Sequence, residues 1–454
     1  MFGKLTLGRY PQGWGALSSE PRTVIRDSVW GDIALYDREL KLIDTPPFQR
    51  LRRVQQLGFL SLTFPGAHHT RFEHSLGVLH LARVVLLRLL HLPSCPKLNE
   101  EDVSTALAAA LLHDIGHYPY SHAVEELELR MIRRHEDIGK EIITCDPVAS
   151  ILVEHWKVDP RRVASLLDKK ARAQGPDGLF QDLLSGALDA DKLDYLPRDA
   201  HYCNVPYGVV DTQRLVLSLR VWHEPEEERL RLVIDEKGIG ALQSLVFAKY
   251  LMFYNVYWHK TSRLATVMFL RAVQDALEAQ AITPAELERC DDWSIVDTMR
   301  RRTESIISSQ ELLRRLEARQ LYKLAVEVSD HDSSFGPLAA LKSDPTRRRE
   351  VEIAWAGELS WLCGRTVSPH HVLLDIPEPK SFSVDMQVLE RANEGHASLL
   401  TPWAKRSGLG DDDMARFHRH IRRLRVAATD RQLAAEVARY WPALQNLARA
   451  VLGS

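Results

Sequence analysis

The sequence predicts a mainly α-helical protein, with a large helical core, short β-hairpins and a smaller α+β C-terminal part. Apolar residues recur at helical spacing in long segments, most clearly in Ser75–Leu90 and Val103–His113. Strand-like segments are short and lie mainly outside this region. We therefore expect an N-terminal β-hairpin segment at residues 1–36, a helical core at 37–290 and an α+β region at 291–454.

The N-terminal half begins with two short strands, Thr23–Trp30 and Asp32–Tyr36, on either side of Gly31. A helix is expected after Pro46-Pro47 and should end at Gly58. Asn99 is the predicted N-cap of the helix that ends near His113, because three acidic residues follow it.

The second half is predicted as a hairpin followed by mixed helices and extended segments. The hairpin strands are Val216–Trp222 and Leu230–Asp235. The later elements, helices first and extended segments last, are Ala241–Trp258, Ala265–Ala279, Gln310–Ala318, Met414–Arg425, Gln432–Leu452, Tyr322–Val328 and His371–Pro377. No repeat of fixed period is present, so a single large core with an appended region is favoured.

Composition is that of an ordinary globular enzyme. Of 454 residues, 45% are hydrophobic and 26% are charged, and the net charge is −2. This balance argues against a globally basic nucleic-acid-binding protein. Arginine-rich stretches such as Arg347–Arg349 are more often solvated surface, so nucleic-acid binding is not favoured.

Cysteine usage and the absence of long apolar runs predict a soluble, cytoplasmic protein. The five cysteines are scattered and none forms a CxxC pair, which argues against a disulfide framework and a structural zinc site. Met1–Pro21 lacks the apolar run of a signal peptide. The apolar stretch around Val84–Leu87 is too short to span a membrane.

Histidines cluster where the helix signals are strongest. His74 precedes one helix, His113-Asp114 ends another, and His117 and His122 follow closely. His113 and Asp114 offer an imidazole and a carboxylate in adjacent positions, and His74 and Asp191 could complete a metal site from neighbouring helices. Such a site without thiolates suits Mn, Fe, Zn or Mg and does not choose among them. A lone His-Asp pair is usually a capping arrangement, but this ordered set favours metal binding.

Three motifs follow one another along the chain: Arg71-Phe-Glu-His-Ser-Leu-Gly77, His113-Asp-Ile-Gly-His-Tyr-Pro-Tyr-Ser-His122 and Asp191-Lys-Leu-Asp-Tyr195. Together they resemble the HD superfamily, and more narrowly its deoxynucleoside triphosphate (dNTP) triphosphohydrolases of the SAM-and-HD-domain type. The resemblance extends upstream to Ile43–Arg52 and Gln56–Gly58 and downstream through Tyr257–Lys260. It continues more weakly through Leu312–Lys323 and Leu373–Pro377. It covers most of the chain, and the order of the motifs is specific.

The resemblance implies roles for two groups of residues at the reaction centre. The implied metal ligands are His74, His113, Asp114 and Asp191. The implied catalytic residues are His117, His122, Glu125 and His135. His117 and His135 match positions that contact the phosphates, and His122 with an acid matches a pair that handles the proton. The acid is Glu125, where the best-studied relatives carry Asp.

The resemblance also implies a dNTP-binding pocket. Cationic side chains suit the triphosphate, and an aromatic ring with a polar group near C2′ would exclude a ribose hydroxyl. The implied substrate-binding residues are Gln56, Leu57, Arg71, Lys192, Tyr195, Asp199, Lys249 and Tyr257. Lys249 stands where the animal protein has Arg, so bidentate geometry is lost there. Asp199 and Tyr257 could equally be ordinary core residues.

Activation by GTP or dGTP in a homotetramer is a further implication, because such effector pockets form between subunits in the family. The implied effector residues are Asp44, Gln49, Arg52, Arg214, Lys237 and Lys260, with Arg425 as a further candidate. Thr23 stands where relatives have Lys, and Asp235 stands where the animal protein has Arg. Both departures weaken the case for dual-nucleotide control, and the first three residues could instead form a salt bridge.

Two other functions stay open. An HD phosphohydrolase could act on another nucleotide or on a nucleic-acid phosphoester, since the metal motif does not exclude it. A non-catalytic nucleotide sensor could keep the fold without turnover, although retention of the whole metal set argues against this.

Overall fold

A computed structural model of the chain describes residues 10, 14, 20–168, 170, 172–224, 226–333, 335–390 and 399–453. It confirms the mainly α fold with short hairpins and small sheets. The N-terminal segment, for which no signal peptide is predicted, lies outside the described residues up to residue 19, apart from Tyr10 and Trp14. Within the described ranges, no helix has both the length and the apolar character needed to cross a bilayer.

The strands form three small sheets in the described chain. They are β1 (Thr23–Asp27), β2 (Gly31–Leu35), β3 (Leu219–Glu224), β4 (Arg229–Asp235), β5 (Lys323–Ser329), β6 (Val372–Asp375), β7 (Gln387–Glu390), β8 (Leu399–Pro402) and β9 (Arg423–Ala428). β1 and β2 form the predicted antiparallel N-terminal hairpin. Gly31 at its turn has φ +80°, a conformation that favours glycine. Ile33 and Leu35 are fully buried, so they anchor the hairpin on the helical core.

The helical core is built around two buried helices, α3 and α4, with α9 packed against α3. Its helices are α1 (Asp37–Ile43), α2 (Pro46–Arg50), α3 (Arg71–Leu90), α4 (Glu100–Leu112), α5 (His135–Thr144), α6 (Val148–Ile151), α7 (Pro160–Leu166), α8 (Gly175–Ser185), α9 (Ala190–Cys203), α10 (Thr212–Ser218), α11 (Ile239–Met252) and α12 (Lys260–Glu278). Asn99 caps α4 as predicted: its side chain accepts a hydrogen bond from the backbone N–H of Asp102 at 2.8 Å.

The helix expected from Pro46 to Gly58 is wrong beyond Arg50. A short 3₁₀ turn follows α2, and Val54 is extended. Two backbone hydrogen bonds account for the difference: Arg71 donates to Val54 at 2.9 Å, and Gln56 donates to His69 at 3.0 Å. They hold this segment against the start of α3. They also use the carbonyl of Val54 and the N–H of Gln56, which a continuing helix would need for its own hydrogen bonds.

The second hairpin is part of a four-stranded sheet with the order β3-β4-β7-β8. β4 and β7 run parallel, and the other pairs are antiparallel. The first strand begins at Leu219 instead of Val216 because α10 extends to Ser218. Phe382, Val388 and Trp403 are buried in the same apolar cluster as α3 and α4, so the segment after residue 380 packs on the helical core.

The C-terminal part packs helices on a three-stranded antiparallel sheet with the order β5-β9-β6. Its helices are α13 (Pro284–Arg289), α14 (Asp292–Arg302), α15 (Ile307–Glu317), α16 (Phe335–Ala340), α17 (Pro345–Cys363), α18 (Trp403–Ser407), α19 (Asp411–Ile421), α20 (Arg431–Arg439) and α21 (Trp441–Leu452). The helix expected to reach Arg425 is wrong beyond Ile421. Residues 423–428 form the central strand, in which Leu424 and Val426 are fully buried and both edges are paired.

A buried ion cluster joins this sheet to the helical core. Arg263 of α12 donates to Glu126 at 2.7 Å and to Asp375 of β6 at 2.6 Å. Glu126 belongs to the 3₁₀ segment Ser121–Leu127, directly after the second histidine motif. All three side chains are nearly inaccessible to solvent, so each buried charge is stabilised by its ion-pair partners and not by water.

Candidate metal centre and the histidine cluster beside it

The four residues predicted as metal ligands lie together at the point where α3, α4 and α9 meet. His74 Nε2 is 3.0 Å from Asp191 Oδ1, 3.2 Å from His113 Nε2 and 3.6 Å from Asp114 Oδ2. Atoms bound to one cation at about 2.1 Å are themselves about 3–4 Å apart. The spacing of these nitrogen and oxygen atoms therefore fits the inner shell of a divalent ion.

Hydrogen bonds orient both imidazoles toward this centre. His74 Nδ1 lies 2.7 Å from Asp194 Oδ2, and His113 Nδ1 lies 2.9 Å from the carbonyl oxygen of Ala110. Each ring thus turns Nε2 inward, as a metal-binding histidine does when a carboxylate or carbonyl accepts its other N–H. The role of Asp194 was not predicted from the sequence. Its position three residues after Asp191 on α9 places both carboxylates on one helix face, and this spacing is the signal that could have found it.

The carboxylates compensate for the burial of positive charge at this centre. Burial alone would lower the pKa of His74, but Asp191 and Asp194 raise it to about 10. Although desolvation opposes its ionisation, the contact with His74 lowers the pKa of Asp191, whose side chain is 37% exposed, to about 2. A group of carboxylates that stabilises a proton on a buried imidazole also favours a divalent cation in its place. The donor set therefore fits such an ion.

Arg71 connects the metal centre to the next group of side chains. Its Nη1 donates to Asp114 Oδ2 at 2.5 Å, and both residues are buried. Asp114 Oδ1 in turn lies 3.2 Å from His117 Nε2. Although burial opposes ionisation, Arg71 and the adjacent imidazoles hold the pKa of Asp114 well below its usual range. Asp114 is therefore a carboxylate shared between Arg71 and the histidines.

The four predicted catalytic residues, His117, His122, Glu125 and His135, form a compact histidine cluster. The rings of His117 and His135 stack with centroids 3.8 Å apart. Glu125 contacts Nδ1 of His135 at 2.9 Å and Nδ1 of His122 at 3.3 Å. The His122 side chain is 52% exposed, whereas that of Glu125 is 8% exposed. A buried carboxylate thus holds two imidazoles by the same ring atom and leaves Nε2 of each for other partners.

Arg50 holds the loop that connects the candidate metal ligands His113 and Asp114 to the histidine cluster. It donates to the carbonyl oxygens of Ile115 at 3.1 Å, His117 at 2.7 Å and Cys290 at 2.8 Å. Arg50 lies in the Ile43–Arg52 stretch of the resemblance, for which no role of this residue is implied. Its partners are backbone carbonyls distant in sequence, and residue type carries no signal for such contacts.

The predicted phosphate-binding residues lie around the same region. Lys192 Nζ donates to the carbonyl of Gly186 at 2.8 Å and to Asp189 at 2.5 Å. Lys249 Nζ donates to the carbonyl of Ser381 at 2.8 Å. Burial and the nearby ammonium of Lys192 lower the pKa of Lys249 to about 8. Burial and Asp191 raise the pKa of Tyr195, which is one turn after Asp191 on α9, well above its ordinary value.

The residues predicted to contact the sugar form a separate hydrogen-bonded group. Tyr257 donates to Asp199 Oδ2 at 2.6 Å, and Asp199 Oδ1 lies 2.8 Å from His69 Nε2. His69 is buried and was not predicted. The backbone of Gln56 joins it through the hydrogen bond to the His69 carbonyl. Leu57, also predicted here, is half-buried directly before the turn at Gly58.

The predicted effector residues are not brought to the metal centre. Arg52 Nε donates to Gln49 Oε1 at 2.9 Å, and Asp44 is exposed at the end of α1. Arg214, Lys237 and Lys260 are all exposed. Arg425 instead turns inward, where it donates to Glu327 at 3.0 Å and to the carbonyl of Trp258 at 3.1 Å.

Two protein families match this chain. Residues 71–167 match the HD domain, and residues 210–399 match the HD associated region. The HD match begins at Arg71 and includes three of the four converging ligands, His74, His113 and Asp114.

Several relatives resemble most of the chain. The uncharacterized protein MJ1154 of Methanocaldococcus jannaschii is 34% identical over 68% of this chain and 60% of its own length. YwfO of Bacillus subtilis, also uncharacterized, is 36% identical over 59% of this chain and 58% of its own length. The human deoxynucleoside triphosphate triphosphohydrolase SAMHD1 is 27% identical over 67% of this chain and 55% of its own length. The chain thus spans less than two thirds of the length of these relatives.

A solved structure shares the fold over nearly the whole chain. It is the 2.0 Å crystal structure of a hypothetical protein from Aquifex aeolicus, with a TM-score of 0.63 and 26% sequence identity. The likeness covers 94% of this chain and 99% of that protein.

Proposed function

The chain belongs to the HD-domain family, and on that basis we propose that it is a metal-dependent phosphohydrolase that cleaves dNTPs into deoxynucleoside and inorganic triphosphate. The observation that carries this proposal is the position of the histidine cluster directly beside four converging metal-ligand candidates. Asp114 touches both groups, since it lies 3.6 Å from His74 and 3.2 Å from His117. The similarity to SAMHD1, whose name specifies a dNTP triphosphohydrolase, supports the choice of substrate.

His74, His113, Asp114 and Asp191 would hold the cation, for which Mn, Fe, Zn and Mg all suit the imidazole and carboxylate donors. When bound, such an ion supplies a contact to a phosphate oxygen and lowers the pKa of a bound water. Asp194 and the carbonyl of Ala110 would keep both imidazoles in the orientation that this requires.

Cationic side chains would hold the triphosphate on either side of this centre. Arg71 is fixed by Asp114 and presents a guanidinium, which suits two phosphate oxygens at once. Lys192 and Lys249 would bind the outer phosphates as point charges, with Tyr195 beside them. Lys249 supports this role because its ammonium contacts the Ser381 carbonyl and the Phe382 ring but pairs with no carboxylate among the described residues, so an anion would stabilise it.

Proton transfer is assigned to His122 Nε2. Glu125 lies against His122 Nδ1 and fixes the ring, which leaves Nε2 to hold a proton and deliver it to the leaving 5′ oxygen. His117 and His135 would contact the reacting phosphates. Because burial and the charge of Arg71 lower the pKa of His117 well below its ordinary value, it would donate or accept hydrogen bonds as a neutral ring.

Deoxy selectivity is assigned to the group formed by Asp199, Tyr257 and Gln56, with Leu57 packed nearby. The 2.6 Å hydrogen bond between Tyr257 and Asp199 fixes an aromatic ring and a carboxylate in one place. A rigid pair of this kind can exclude one additional hydroxyl, whereas a mobile pair would adjust to it.

Regulation by GTP or dGTP in a homotetramer is the finer part of the proposal. Asp44, Gln49 and Arg52 would recognise the guanine, and Arg214, Lys237 and Lys260 would bind phosphates in a second pocket. Exposure of Asp44, Arg214, Lys237 and Lys260 on the single chain supports this, since a second subunit could cover them.

The test is to incubate the purified protein with each dNTP and Mn²⁺ or Mg²⁺, with and without GTP or dGTP, and to separate the products by anion exchange. Deoxynucleoside plus inorganic triphosphate, lost in the double variant His113→Ala/Asp114→Ala, is the expected result. Orthophosphate as the product would indicate a different phosphohydrolase. No turnover with metal bound would contradict the enzymatic proposal and favour a nucleotide sensor.

A further inference from the structure

Aromatic side chains are exposed where α11 and α19 meet. Phe247 is 40% exposed, and Tyr254, in the helical continuation Phe253–Tyr257 of α11, is 50% exposed. The Phe417 ring of α19 lies 5.6 Å from that of Phe247, and His420 stacks on Tyr254 with ring centroids 5.4 Å apart. The two helices thus form one aromatic surface. Exposed aromatic groups bordered by charged residues are typical of surfaces that another molecule covers.

The outward face of α19 carries its charges in a definite order along the helix. Its exposed residues have the i, i+4, i+8 spacing that keeps side chains on one side of a helix. Two acidic residues come first, a small residue lies at the centre, and basic residues come last: Asp411, Asp412, Ala415, Arg416, Arg419 and His420. The opposite face buries Met414 and Ile421. The exposed face is therefore negative at one end and positive at the other.

Most of these charges have no partner in the part of the chain that the structure describes. Arg416 contacts Asp413 at 3.6 Å, and its side chain is 71% exposed. The side chains of Asp411, Asp412 and Arg419 form no ion pair or hydrogen bond within the described ranges. These charges are therefore available to pair with another molecule.

The order of charges on α19 is complementary to itself. An α19 from a second copy can cross antiparallel, with a two-fold axis between Ala415 and Arg416. Asp412 then lies opposite Arg419 of the second copy, and the same pair forms again on the other side of the axis. The opposed helix dipoles favour this arrangement too. A polyanion such as a nucleic acid would instead meet the aspartates, so a second copy fits this face better.

We propose that a second copy of this chain docks here, through a two-fold symmetric, antiparallel pairing of α19. The contact would cover Phe247 and Tyr254 and would form the pair between Asp412 and Arg419 twice. It gives the homotetramer of the proposed function one of its contact surfaces, and in this respect the inference rests on that proposal. Pairing needs neither nucleotide nor turnover, so the two proposals can fail separately.

The test is sedimentation equilibrium of the full chain without nucleotide, over a wide range of protein concentration. The wild type should associate reversibly, with a first step that joins two chains. Arg419→Glu should weaken this step by about tenfold or more, because the reversed charge faces an aspartate twice in a symmetric contact. Asp412→Lys should weaken it to a similar extent. The double variant Asp412→Lys/Arg419→Glu should recover most of the association, because opposite charges face each other again.

The matched control is Arg301→Glu on α14, which reverses one charge of an exposed helical ion pair with Asp297. It should leave the association unchanged, and circular dichroism shows whether each variant is folded. A wild type that stays monomeric at every concentration overturns the inference. So does an effect of Arg301→Glu equal to that of Arg419→Glu, or a double variant that associates no better than the single ones.

The outcome also separates this inference from the proposed function. Turnover by a protein that never associates overturns the docking surface and leaves the proposed enzyme in place. Charge-dependent pairing without any turnover supports the docking surface and contradicts the proposed enzyme.

Discussion

A methyl group on Gly77 would overlap the carboxylate of Asp194, because α3 and α9 are in close contact at this point. Asp194 is the residue that orients His74, and it is itself fixed by Arg198 at 2.8 Å and by Trp30 at 2.5 Å. Gly77 therefore allows the helix that carries His74 to approach the helix that carries Asp191. The absence of a side chain here sets the geometry of the metal centre.

Gly77→Ala should destabilise the fold by about 3 kcal/mol, since the added carbon must displace a buried ion pair or separate two helices. Urea unfolding of the metal-free protein measures the change. The control is Gly357→Ala in α17, where open space surrounds the added carbon. That variant should be stabilised by up to about 1 kcal/mol, because alanine favours an exposed helix. Equal stabilities of the two variants would show that α3 and α9 adapt freely.

Asp194→Asn should weaken metal binding by about 10–100-fold, the usual effect of removing the partner of a metal-bound histidine. Elemental analysis after dialysis against graded chelator measures the affinity. Asp297→Asn removes an exposed carboxylate on α14 and should leave the metal content unchanged. Full metal retention in folded Asp194→Asn would contradict the orienting role.

Glu125→Gln should lower kcat by about 100-fold, because the neutral amide no longer stabilises a protonated His122. Glu125→Asp keeps the charge at shorter reach and should recover part of the loss. Glu141→Gln, which removes an exposed carboxylate on α5, is the control. Wild-type kcat in Glu125→Gln would assign the proton to another group.

Arg50→Gln should lower kcat by about 10–100-fold at unchanged metal content, since a shift of the loop at Ile115 and His117 displaces the histidine cluster. Both quantities are measured on the same protein preparation. Arg53→Gln, at an exposed position three residues past the end of α2 that pairs with Asp291, should have little effect. Loss of metal together with activity would mean that Arg50 supports the whole core and not the loop alone.

His80 should make the protein less stable in mild acid. Burial and the charge of Arg83 lower its pKa from the ordinary 6.5 to about 4. The unfolded chain therefore binds the proton more tightly than the folded chain, so the full stability is present above about pH 6.5 and is lost as the pH falls toward 4. At about pH 5 the expected loss is about 2 kcal/mol relative to neutral pH.

The measurement compares urea unfolding of the wild type and His80→Gln at about pH 7.5 and about pH 5. Other titrating groups contribute to both proteins, so the difference between them isolates His80. A difference that does not change with pH would show that the buried imidazole is already charged in the folded protein.

The candidate metal ligands could be proposed from the sequence because they belong to ordered motifs. His113 and Asp114 are adjacent, and helix periodicity alone places them at the end of α4. What could not be predicted are the residues that hold these ligands in place. Arg50 acts through backbone carbonyls, and His69 acts through Asp199, 130 residues away in the chain.

The errors in secondary structure have a similar origin. Residues 51–57 show helical spacing, but the helix stops at a 3₁₀ turn over Leu51–Arg53, and hydrogen bonds to His69 and Arg71 hold Gln56 and Val54 out of a helix. The alternating residues 423–428 continue the apolar pattern of α19, yet β5 and β6 on both sides make them a strand. In both places a partner distant in sequence outweighs local preference.

The ion cluster of Arg263, Glu126 and Asp375 determines how far the chain can be shortened. A fragment ending at residue 290 would keep the Arg263–Glu126 pair but lose Asp375, the second acceptor of the same guanidinium, and it would open that buried pair to solvent directly beside the segment Ser121–Leu127. It would also lose Asp292, whose carboxylate accepts hydrogen bonds from the backbone N–H groups of Gln55 and Tyr120. The residues that support the candidate site are therefore discontinuous in the chain, and a truncation or an engineered split between the helical core and the C-terminal sheet would remove part of that support.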